Sequence, residues 1–137
     1  MSQTSSAARM QRILLATDGS EHSEGAVRVA IDAAAKCSSQ LFAFTMVISN
    51  PEVEALAPEI VAKGERRARE ILDGVEAKAK ARGVPVERLV RHGQDPAHQI
   101  VGQAEKRDAD IIIMGRRGVR GLARMMVGEA TIKVCGR

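Results

Sequence analysis

Short blocks of consecutive apolar residues alternate along the chain with longer stretches in which apolar positions recur every three or four residues. The first pattern fits strands buried on both faces, the second helices with one buried face. Arg12 to Thr17 is an apolar run closed by Asp18-Gly19-Ser20, which predicts a strand, a turn and a helix start with Asp18 or Ser20 as N-cap. Val27, Ala30, Ile31 and Ala34 then share one helical face, and the helix should fade near Lys36 to Ser39. Leu41 to Ile48 is short and β-prone, a second buried strand. Ser49-Asn50-Pro51 ends it, and Pro58 marks another interruption. A charged segment over residues 59–82 follows, in which Ala68, Ile71, Leu72, Val75 and Ala79 form the apolar stripe of a surface helix stopped by Gly83 and Pro85.

Val86 to Arg91 mixes apolar and polar residues, as expected of a strand nearer a sheet edge. Asp95-Pro96 supplies an N-cap and a first-position proline, and Ile100, Val101 and Ala104 give the next helix its buried face. Ile111 to Met114 is the most hydrophobic run and predicts a central parallel strand ending at Gly115, with a Gly- and Arg-rich loop and a last helix from Gly128 after it. Strand and helix thus alternate four times. Right-handed crossovers then give a parallel sheet with helices on both faces, whose ligands sit beyond the carboxyl ends of the strands. Ala16, Thr17 and Asp18 lie at one such end, Met114 and Gly115 at another.

A chain of 137 residues matches one domain, expected over residues 12–137 behind a flexible tail, residues 1–11. The hydrophobic fraction of 45% includes two Phe and no Tyr or Trp, so the core must be aliphatic. The net charge of +4 allows an anionic partner. Nucleic acid is disfavoured, because stacking aromatics are lacking and the basic residues are interleaved with acids. No apolar run is long enough to cross a bilayer, and no secretory signal opens the chain. Cys37 and Cys135 stand far apart without metal-site spacing, which points to structural thiols in a reducing cytoplasm. His22, His92 and His98 are scattered rather than clustered.

The chemistry concentrates in the loop from Gly115 to Gly128. Gly115 stands at the strand exit, Gly118 three positions on, and Gly128 opens the final helix. Glycine lets backbone N–H groups approach a ligand, and a helix N-terminus adds free donors and a positive dipole end. That is an anion cradle, although the same spacing also serves turns that hold no ligand. The spacing is nonetheless shared by the universal stress protein family, whose nucleotide-binding branch shows Gly-x-x-Gly, nine residues, then Gly with Ser or Thr. Ala16 to Ser20 and Asp110 to Gly115 resemble two further motifs of that family, in the same order.

The resemblance runs from about Arg12 to Val134. It implies a three-layer α/β/α fold around an open, mainly parallel twisted sheet in strand order 3-2-1-4. It also implies an adenine nucleotide, ATP or a relative such as AMP, with Asp18 on the ribose or adenine side and Met46 beside the base. Met114, Gly115, Gly118 and Gly128 would line the phosphate channel, with Ala130 and Thr131 near its end. Asp18 as a helix cap and the methionines as core residues are the structural alternatives.

Two departures bear on function. Glu129 stands where the family's nucleotide binders have Ser or Thr. Two unit charges ~4 Å apart at an effective dielectric of ~20 repel by about 4 kcal/mol. A quarter of that weakens binding roughly fivefold. Glu129 could also occupy the anion site itself at the helix N-terminus. Arg116, Arg117, Arg120 and Arg124 pull the other way, since guanidinium groups pair with phosphate. A magnesium ion bridging Glu129 to the phosphates is a third option. The second departure is that Arg137 ends the chain where the family continues into a fifth strand, so that strand is expected to be missing, with self-association into a homodimer by a surface the sequence does not identify. Three functions remain open: a nucleotide-binding regulatory protein acting through protein partners, a nucleotide-free dimeric interaction module, and at most a slow ATP hydrolase lacking a residue to orient water.

Overall fold

A computed structural model of the chain describes residues 11–115, apart from the side chain of His22. The expected tail other than Gln11, the expected loss of a fifth strand, the last helix and Cys135 all concern residues outside these. Strand β1 (Arg12–Ala16) leads through a 3-10 turn (Glu21–Ser23) into α1 (Glu24–Cys37), and β2 (Gln40–Ile48) follows. Helices α2 (Pro51–Leu56) and α3 (Pro58–Ala81) precede β3 (Val86–Gly93), and α4 (Pro96–Lys106) precedes β4 (Ile111–Met114).

All pairings are parallel and the strand order is β3-β2-β1-β4, as expected. Successive side chains of a strand point to opposite faces, so an unbroken apolar run supplies two cores at once. Ile13 and Leu15 join the core under α1 and α3, with Val27, Ile31, Leu72 and Val75. Leu14 and Ala16 join the other, under α4, with Phe42, Phe44, Leu89 and Ile100. Both aromatic rings of the chain therefore lie on one face. Helix α3 comes close to β2 because Gly64 has no side chain; a Cβ there would lie 3.0 Å from Val47 Cγ1.

The structure corrects two local expectations. The stretch between Pro51 and Pro58 holds a short helix, because the Asn50 side chain accepts from the Val53 amide at 2.8 Å and Pro51 occupies the first helical position. Neither Asp18 nor Ser20 caps α1 with its side chain; the Asp18 carboxylate is turned to Ser20 instead. Among the described residues β4 pairs with β1, and the expected central place of this strand turns on residues outside these. All four of its residues are buried, shared between the cores on the two faces of the sheet. By contrast Asp95 accepts from the His98 amide at 3.4 Å, the expected cap of α4.

Leu72 is fully buried at the centre of the α3 stripe. Leu72→Ala should therefore lower the unfolding free energy by about 2–5 kcal/mol, read as a reduced urea midpoint at unchanged m-value.

Candidate functional site

The chain runs from β1 to β2 and β3 on one side and returns to the other side of β1 for β4, so the order reverses between β1 and β4. Clefts in such sheets open at the carboxyl ends beside that reversal. One of about 250 Å³ does so here, walled by the ends of β1, β2 and β4 and by the first turn of α4. Ala16, Thr17, Asp18, Met46, Met114 and Gly115, all expected at the site, line it together. Arg117, Gly118, Gly128, Glu129, Ala130 and Thr131 lie outside the described residues.

The loop after β1 is locked by its own hydroxyls. The Thr17 amide donates to the Phe44 carbonyl at 3.0 Å, continuing the pairing one residue past β1. Thr17 Oγ1 accepts from the Gly19 amide at 3.1 Å and lies 2.8 Å from Ser23 Oγ. Ser23 in turn donates to the Ser20 carbonyl at 3.0 Å, which leaves Thr17 as the donor of the hydroxyl pair. Both side chains are buried, so each hydroxyl needs these partners. Gly19 holds a positive φ of 80°, and a Cβ there would stand 2.6 Å from Ile71 Cγ1 on α3. Only glycine lets the loop lie this low.

Asp18 projects from the locked loop at the cleft mouth. Its Oδ1 accepts from the Ser20 amide at 2.9 Å and the Ser20 hydroxyl at 2.7 Å. Partial burial opposes the charged form, but the hydrogen bonds to the carboxylate, chiefly the two from Ser20, outweigh it and hold the carboxyl below its ordinary value. Among the described residues that line the cleft Asp18 is the only charged one, set beside a mostly apolar wall. Phe44, buried, and Met46, half-buried, come from β2, with Ile100 reaching in from α4 and Met114 from β4.

Phe44, Thr45, Ile48, Ser23, Pro96 and Ile100 also line the cleft and were not read as site residues. Phe44 was within reach of sequence reasoning, because parallel pairing of the first two strands sets it beside Ala16. Pro96 and Ile100 were not, since their place depends on how far α4 leans over the strand ends. Among the described residues no three His, Cys, Asp or Glu side chains gather as a metal site, and no helix is long and apolar enough to cross a membrane.

Ser23→Ala would leave the buried Thr17 hydroxyl without its acceptor and should cost about 1–3 kcal/mol of stability, measured by urea unfolding. Asp18 also sets a pH dependence. Its folded pKa is lowered, so the unfolded chain binds more protons in the acid range. The stability it adds is present above the ordinary carboxylate value of about 4 and is lost as pH falls through the lower folded value. In thermal unfolding the unmodified chain should lose more stability than Asp18→Asn as pH drops from about 5 to 2.

Comparison with known proteins bears directly on this arrangement. The family model described as "Universal stress protein family" matches residues 10–137. The chain is 29% identical to the universal stress protein YxiE of Bacillus subtilis, over 90% of each chain. It is 32% identical to universal stress protein MJ0531 of Methanocaldococcus jannaschii, over 90% of this chain and 75% of that one. Among solved structures, a universal stress protein family member from Burkholderia pseudomallei superposes with a TM-score of 0.74 at 25% identity, covering 90% of this chain and 92% of the other. A universal stress protein in complex with cAMP superposes with a TM-score of 0.65 at 26% identity, covering 90% of both. By sequence match along nearly its whole length and by the order of its strands, the chain belongs to the universal stress protein family.

Proposed function

We propose that this chain is a regulatory protein that binds an adenine nucleotide, ATP or AMP, between Asp18 and the loop from Gly115 to Gly128. The observation that carries this is the cleft itself, whose lining gathers every described residue expected to contact the nucleotide. At about 250 Å³ it falls just below the roughly 300–1,000 Å³ of most small-molecule sites. That size suits the base and sugar, with the phosphates running out along the glycine-rich loop. Phe44, Met46, Ile100 and Met114 offer apolar surface to the base. The Asp18 carboxylate accepts from ribose hydroxyls and repels phosphate, which orients the nucleotide with its charge toward Gly115. A family member solved with cAMP supports this choice of ligand class.

Regulation rather than chemistry follows from the absence in the sequence of a residue to orient an attacking water. Any magnesium would come in with the phosphates rather than in a protein cage. A cytoplasmic site of action, as a homodimer with protein partners, completes the proposal.

The test is to denature the purified protein by heat, identify the small molecules released, and titrate the emptied protein with ATP and AMP by calorimetry. Adenine nucleotide should be released, and Asp18→Ala should weaken rebinding about tenfold or more, the loss expected of a hydrogen bond to a charged group. Glu129→Ser should strengthen ATP binding roughly fivefold by removing the like charge. No released nucleotide and no binding at millimolar ATP would sink the proposal. Binding gained only in Glu129→Ser would assign the natural chain to the nucleotide-free module.

A further inference from the structure

Among the described residues β3 is the outer strand on one side of the sheet, and its edge away from β2 carries a distinctive pattern. The amides of Leu41 and Ser49, at the two ends of β2, donate to the carbonyls of Pro85 and Gly93 at 3.3 and 2.8 Å. Backbone direction alternates along a parallel ladder, so odd-numbered positions from 85 to 93 face β2. Val86, Arg88, Val90 and His92 therefore turn their N–H and C=O groups outward. Among the described residues no strand pairs with them. Side chains cover two of these carbonyls instead. Arg91 Nη1 donates to Val90 O at 2.8 Å, and Gln99 Nε2 to His92 O at 3.4 Å.

The side chains divide as strictly as the backbone. Val86 and Val90 pack on the α3 side, where Arg88 is held by Asp73 at 2.7 Å and Glu76 at 3.0 Å. His92 Nε2 lies 2.8 Å from Glu65 Oε2 on the same helix. Glu87, Leu89 and Arg91 share the opposite face. Leu89 is buried there, and Glu87 Oε2 lies 2.8 Å from Arg107 Nη1.

We propose that β3 pairs edge to edge with β3 of a second copy of this chain, antiparallel about a two-fold axis beside Leu89. In that register Val86 stands opposite the partner's His92 and Arg88 opposite the partner's Val90, and each such pair exchanges two N–H···O bonds. On the other face Leu89 meets its own copy, and Glu87 stands opposite the partner's Arg91, twice by symmetry. The charges select this register. Centring the axis on Glu87 or Arg91 sets two like charges directly against each other, and centring it on Arg88 or Val90 sets the apolar Leu89 against the partner's Glu87 or the partner's Arg91. Arg88 brings no free charge to the seam because Asp73 and Glu76 neutralise it.

Arg91 is the residue that changes partner. In the single chain it covers the Val90 carbonyl of its own strand. On pairing, that carbonyl accepts from the partner's Arg88 amide, and the guanidinium is released to the partner's Glu87. Glu87 keeps Arg107 on its own side, since a carboxylate has acceptor sites for both. The pairing needs no ligand, so it stands or falls separately from the nucleotide reading.

The experiment combines sedimentation over a wide concentration range with residue-resolved hydrogen exchange on the full chain. The expected result is a dimer at high concentration in which the amides of Val86, Arg88, Val90 and His92 exchange more slowly than in dilute solution. Glu87→Lys and Arg91→Glu should each weaken association roughly tenfold or more by turning two attractive cross-strand pairs repulsive. The double swap Glu87→Lys with Arg91→Glu should recover it. A chain that stays monomeric overturns the proposal. So does one that associates with those four amides exchanging equally fast, or whose swapped variant folds, by circular dichroism, without regaining association. If a single variant fails to fold, the concentration dependence of exchange in the unmodified chain still decides.

Discussion

A parallel sheet has to be covered on both faces, and most of this structure follows from that constraint. Parallel neighbours need a crossover between them, and each crossover lays a helix on one face or the other. The strands therefore carry apolar side chains in both directions, and a chain with only two aromatic residues must fill both cores with Leu, Ile, Val and Ala. Polar chemistry has little room along β1 and β4 and is pushed to their ends. The carboxyl ends of β1, β2 and β4, beside the point where the strand order reverses, are where a carboxylate, three buried hydroxyl residues and two thioethers meet.

The same constraint explains how rigid the β1 loop is. Thr17 is still tied to β2 through its amide, so the loop starts from a fixed point in the sheet. From there the hydroxyls of Thr17 and Ser23 close a chain of hydrogen bonds within seven residues, and Ser20 fixes the Asp18 carboxylate. A charge held this way loses little freedom when a ligand binds it, which is the physical meaning of a preorganised site. It also explains why Asp18 is no helix cap, since its acceptor is already committed to the loop.

The fold was largely legible because periodicity differs sharply between Ile111 to Met114, with its unbroken apolar run, and the α3 stripe through Ala68, Leu72, Val75 and Ala79. The strand end at Asp18 and the exit at Gly115 could be placed at the site for the same reason, and motif resemblance added Met46 and Met114. What stayed hidden depends on distances between elements that are far apart in sequence. Pro96 and Ile100 enter the cleft through the lean of α4, and Ser23 through a bond to a residue six positions earlier. The helix after Asn50 escaped notice for a local reason: the same Asn-Pro pair that ends a strand also starts a helix.

The contact between Gly19 and Ile71 has a wider consequence. Gly19 contributes no atoms of its own beyond the backbone, so Ile71, the nearest side chain beneath it and with Arg67 next to it, sets the height of the floor on which the Asp18 loop rests. Ile71 belongs to α3, which packs on the face of the sheet away from the α4 wall of the cleft. It acts as a shim placed from behind. A bulkier or slimmer residue at position 71 would raise or lower the Asp18 carboxylate relative to Met114 with every cleft side chain unchanged, so members of one lineage could drift in ligand preference through a residue that no ligand touches.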